Sequence, residues 1–132
     1  MRLLRILPLL ALFVLLCPAY ADSDLSGTYS GEHAVNKDTL LCELIITAKG
    51  KGYDISGSYA LESGRGATPD FEGTGKVNDQ GVLVATFTDS FENSGTATIT
   101  PTDDGVTISI RVTDVKDPRC IPLYKDFTLK KK

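Results

Sequence analysis

The chain has 132 residues, a formal net charge of −3, three cysteines, one histidine and no tryptophan. This length suits one domain with its own core. An acidic balance argues against a nucleic-acid surface, and a single histidine without a CxxC pair excludes the usual zinc spacings.

Arg2 and Arg5 precede an apolar run, Leu9 to Leu16, followed by Ala19-Tyr20-Ala21. That order is expected of a secretory signal peptide over 1–21, leaving 22–132 as the folded domain. The run is too short to span a bilayer, so no integral membrane segment is expected in the mature chain. Cys17 follows Leu16, where lipid attachment calls for a small residue. Loss of Arg2 and Arg5 takes the charge to −5. The expected location is the periplasm or the extracellular space.

No later stretch holds a helical period. Apolar residues alternate in short runs between turn residues, which predicts strands at 24–31, 40–48, 53–61, 70–77, 82–89, 94–101, 106–115 and 123–130. Strand 7 is the clearest, with Val106, Ile108, Ile110 and Val112 on one face. Strand 2, "LLCELIITA", is apolar on both faces, so its register stays open. "LSGTYSG" (25–31), "ISGSYAL" (55–61), "FEGTG" (71–75) and "NSGTA" (93–97) repeat a glycine before Ser or Thr. Gly27, Gly57, Gly73, Gly75 and Gly95 fall in phase with large apolar neighbours, hence on the inward face. Small inward residues at bends are what a tightly closing sheet needs. The prediction is an all-β, single eight-stranded antiparallel up-and-down barrel.

"KGKG" (49–52), "NDQG" (78–81) and "TDDG" (102–105) read as tight turns, while 32–39, 62–69, 90–93 and 116–122 read as longer loops. In a meander, alternate connections share an end. The tight turns sort to one end and the longer loops to the other, which makes the loop end the expected functional face. Cys42 and Cys120 both map there, and an even pair in an exported chain predicts one disulfide.

With "GTY" at 27–29 and "LIITAKGKGYDISGSYAL" at 44–61, the chain resembles the avidin and streptavidin group. The likeness covers about 25–61 and implies a small meander barrel, an architecture shared with lipocalin-like carriers. Biotin binding in that group uses tryptophans, so the resemblance implies the fold without the ligand.

His33, placed in a loop near Glu32 and Asp38, lacks a G-x-S-x-G elbow to serve. Asp89 and Glu92 flank Phe91, and Asp103-Asp104 belong to a turn. No catalytic, metal or cofactor site is therefore expected. Two binding readings follow. In the first, the rim residues Arg65, Asp70, Phe91, Glu92, Asp117 and Arg119 contact a protein, such as a hydrolase (a lysozyme, for instance) or a toxin to be neutralised. Phe91 either packs under the barrel lid or meets that partner. In the second, Tyr29, Tyr59, Phe71 and Phe87 line a cavity for a small apolar ligand, or simply fill it.

Overall fold

The computed structural model describes residues 24–132, so the expected leader and Cys17 lie outside the described residues. Eight strands follow one another: β1 (Gly27–Val35), β2 (Asp38–Lys49), β3 (Gly52–Leu61), β4 (Asp70–Val77), β5 (Leu83–Asp89), β6 (Ser94–Pro101), β7 (Gly105–Asp114) and β8 (Phe127–Lys131). Each pairs antiparallel with the next, and β8 returns to β1 through Tyr29 opposite Lys131, closing the barrel. The up-and-down order is the expected one.

Alternation explains why these segments are strands. β5 alternates buried and exposed at every position from Leu83 to Asp89. In β2, apolar on both faces, the register is now fixed. Leu40, Cys42, Leu44 and Ile46 point inward, while Ile45 faces solvent. Leu40, Leu44, Ile46, Leu83, Ile99, Ile108 and Leu129 are almost wholly buried. Each such side chain contributes about 1.5–3 kcal/mol relative to exposure.

The inward glycines sit where neighbouring strands approach closely. A β-carbon on Gly57 would stand 2.6 Å from Cζ of Phe71. One on Gly73 would run into the backbone of Thr86, and one on Gly95 into that of Arg111. The neighbouring chain already fills the space of the missing side chain.

Two expected boundaries move. β1 continues to Val35, with His33 opposite Leu40 and Val35 opposite Asp38. The predicted 32–39 loop is thus a hairpin turned by Asn36 and Lys37. Asn36 takes a φ of 55°, a left-handed conformation that asparagine tolerates. His33 is therefore an exposed strand residue, its ring 5.9 Å from that of Phe127. At the other terminus, 118–123 forms a 3₁₀ turn (Pro118–Leu123), so β8 begins at Phe127 rather than 123.

The two ends of the barrel are closed differently. At the tight-turn end, Leu25 is buried and its carbonyl accepts the Tyr29 hydroxyl at 2.6 Å. Near the other end, the rings of Tyr59, Phe71, Phe87, Tyr124 and Phe127 form a chain of contacts, with centroids 5.1–6.3 Å apart.

Candidate functional site

The connections 36–37, 62–69, 90–93 and 115–126 lie at one end of the barrel, as a meander requires. Two of the four, 62–69 and 115–126, are longer than hairpin turns. Bonds between them add to the local ones. The Asp38 carboxylate accepts Thr39 N at 2.8 Å, Ser63 N at 3.2 Å and Ser63 Oγ at 2.5 Å, which ties the 62–69 loop to the first hairpin. These hydrogen bonds, that from the Ser63 hydroxyl foremost, hold the Asp38 carboxyl below its ordinary range. Ser90 N donates to Asp70 O at 2.8 Å, and Asp70 N donates back to Ser90 Oγ at 3.0 Å.

The centre of this end is Asp89 with Asn93. Asp89 holds the inward phase of β5, following Leu83, Ala85 and Phe87, yet carries a carboxylate. That group accepts Phe91 N at 2.8 Å, Asn93 N at 2.9 Å, Asn93 Nδ2 at 3.1 Å and the Tyr124 hydroxyl at 2.7 Å. Burial opposes its ionisation. The donors, Tyr124 and Asn93 foremost, outweigh burial and hold the carboxyl below its ordinary range.

Asn93 is completely buried. Its Oδ1 accepts Lys116 N at 2.7 Å and Asp117 N at 2.9 Å, and its Nδ2 also donates to Asp117 O at 2.9 Å. One amide thus fastens the 115–126 connection onto the 90–93 turn. A buried group with all its capacity used supports a single arrangement of both segments.

On this base stands an exposed cluster. Asp117 caps the 3₁₀ turn by accepting Arg119 N at 3.1 Å. Its carboxylate also takes the Arg119 guanidinium in two-pronged fashion, Nε at 3.0 Å and Nη2 at 2.7 Å. That contact lowers the Asp117 carboxyl below its ordinary range. The guanidinium lies over the Phe91 ring, 5.2 Å from its centroid. Phe91 therefore packs under Arg119 and stays only half-buried.

The expected rim residues are all at this end, but they do not form one patch. Phe91, Asp117 and Arg119 come together. Asp70 joins Ser90. Arg65 is exposed on the 62–69 loop beside Asp38. Glu92 turns the chain with a φ of 66° and is exposed. Tyr29, Tyr59, Phe71 and Phe87 are buried in the core.

Nothing in the local sequence marks Asn93 or Tyr124, and Asp89 is not among the expected rim residues. A signal existed for Asp89: an acid on an otherwise apolar strand face.

The expected disulfide is not formed, and Cys42 and Cys120 are free, buried thiols. Each is held in a different setting. Cys42 lies opposite Tyr59 across β2 and β3, and burial pushes its thiol up to about 12. Cys120 faces Asn93 Nδ2 at 3.3 Å and Asp89 at 3.6 Å, and burial raises its thiol too. Tyr59 and Tyr124, the tyrosines beside the two sulfurs, meet edge to face at 5.1 Å. Sharing an end of the barrel did not bring the sulfurs together.

Among the described residues, no group of three His, Cys, Asp or Glu is arranged to hold a metal ion, and no helix is long and apolar enough to cross a membrane. No family model, curated protein or solved structure matches this chain. Of the avidin likeness, the closed eight-stranded barrel is what stands.

Proposed function

We propose that the protein is an exported, non-catalytic binding protein whose loop-bearing end contacts another protein. One observation carries this reading: the Arg119 guanidinium is stacked on Phe91 and clamped by Asp117. Arginine and aromatic residues are the side chains that most often dominate protein interfaces. Here both are already ordered, so docking costs less conformational entropy. The buried Asp89 and Asn93 beneath them keep both supporting segments in place.

The charge of −5 expected after leader removal suits a basic target, such as a lysozyme-like hydrolase or a basic toxin. The leader at 1–21 directs the chain to the periplasm or outside the cell. The carrier reading has less support. Tyr59, Phe71 and Phe87, cast as cavity lining, spend their faces on one another and on Tyr124. The test is capture of a partner from the native exported fraction with the mature chain as bait. Phe91→Ala and Arg119→Ala should lose it, and Lys51→Ala, Asp79→Ala and Asp104→Ala at the opposite end should keep it. The reverse pattern with folded variants rejects the reading.

A further inference from the structure

The "ISGS" of β3 has a second consequence on the outer wall. Ser56 and Ser58 point outward and are short. On β2 their partners are Ile45 and Glu43; on β4 they are Glu72 and Asp70. Two long side chains therefore stand on each side of a strand that carries almost none. The result is a trough over β3, part of a cleft of about 530 Å³. Its walls are two strand spacings apart, about 10 Å, the width of one extended chain. Along each wall the two side chains are about 6.8 Å apart, the two-residue repeat of an extended segment.

The chemistry of the trough is one-sided. Glu43, Asp70 and Glu72 supply three carboxylates near its walls, and no lysine or arginine lines it. Asp70 and Glu72 form no ion pair among the described residues. Ile45 is 46% exposed, a large apolar side chain open to solvent. The chain already shows what its edge accepts. The ammonium of Lys132 lies 3.1 Å from Glu43 Oε2, at the margin of the trough.

We propose that this trough binds an extended, lysine- or arginine-bearing segment of a partner protein, its cations on Asp70, on Glu72 and, displacing Lys132, on Glu43, with one apolar residue on Ile45. The site adjoins the rim through Asp70 and Ser90 but uses neither Phe91 nor Arg119.

The probe is a fluorescein-labelled Lys-Lys-Leu-Lys-Lys peptide, titrated against the mature protein at low salt. The double variant Glu43→Gln with Glu72→Gln should bind about fivefold more weakly. Ser56→Phe, which fills the trough from an outward position, should abolish binding while melting normally. Asp103→Asn with Asp104→Asn removes the same charge at the far end and should change nothing, as should Phe91→Ala and Arg119→Ala. Equal weakening by both charge-removing pairs would reduce the effect to net charge and overturn the proposal. So would equal binding of Glu-Glu-Leu-Glu-Glu. Self-association of the protein alone, abolished by Ser56→Phe, would assign the trough to a second copy and also overturn it.

Discussion

The two ends of this barrel are closed by different physics. At the tight-turn end each turn is fixed by its own residues, although Tyr53 also reaches across to Asp24 and Leu25. Gly50 and Gly81 adopt positive φ, and Asn78 Oδ1 accepts the backbone N–H of Gln80 and Val82 within its own turn. At the loop-bearing end long-range bonds are added to the local ones. Asp38 reaches Ser63, Asn93 reaches Lys116 and Asp117, and Asp89 reaches Tyr124. A turn fixed by its own residues is hard to perturb from elsewhere and has little to offer a partner. An end fixed by a few buried polar groups carries varied side chains, but depends on those groups.

The largest test of this difference is Asn93→Ala against Asn78→Ala. Loss of the Asn93 amide leaves the Lys116 and Asp117 N–H groups without their acceptor and Asp89 without one donor. Each orphaned group costs about 1–3 kcal/mol, so a total of at least about 3 kcal/mol is expected from urea denaturation. Asn78 is exposed and its partners can turn to water, so its loss should cost about 1 kcal/mol at most. Comparable midpoints for the two variants would erase the distinction between the ends.

Next in size is a test of the wall that joins them. Gly57→Val forces a side chain against Phe71 and the Glu43 carbonyl, at a cost of about 1–3 kcal/mol. Ser58→Val points outward and should be tolerated. Thermal melts of the pair measure the difference, and coincident melts would mean that the wall relaxes around Gly57.

How much the sequence revealed follows the same division. Strand alternation, inward glycines and the three glycine turns depend on neighbours two to four residues apart, and all were readable. So was the end that carries the two long connections, 62–69 and 115–126. The first hairpin was not, because "VNKD" lacks the glycine that marks such turns and its flanks are polar. The Asp89–Asn93 network was not read either. Its bonds span 23 to 35 residues to Lys116, Asp117 and Tyr124, and no local pattern encodes them. The cysteines show the limit from the other side. An even count and a shared end are compatible with a disulfide, but pairing is a matter of where two Cβ atoms point.

A smaller effect comes from the charge on Asp89. Its carboxyl is held below the ordinary range in the folded state, so its contribution is complete above the unfolded carboxylate pKa, roughly 4. That contribution is lost as pH falls through the folded value. Tyr124→Phe removes the 2.7 Å donor and should cost about 1.5 kcal/mol near neutral pH. The gap from wild type should narrow as acid protonates Asp89. A gap that stays constant from pH 7 down to pH 2 would show that Tyr124 acts by packing alone.

The smallest expected change in stability belongs to Arg119→Ala, and its smallness is the point. Arg119 is exposed, and Asp117 keeps Asn93 beneath it whether or not the guanidinium is present. What goes is the contact with Phe91, worth about 0.5–1 kcal/mol at an exposed site, and a surface ion pair worth no more. The melting temperature should therefore fall by only a few degrees. If the rim contacts a protein, the same substitution removes one of the few side chains able to dominate that interface, and binding should weaken by tenfold or more. The ratio of the two effects separates a docking residue from a structural one. A variant that loses several kcal/mol of stability would make Arg119 part of the lid, and its loss of binding would then say nothing about contact.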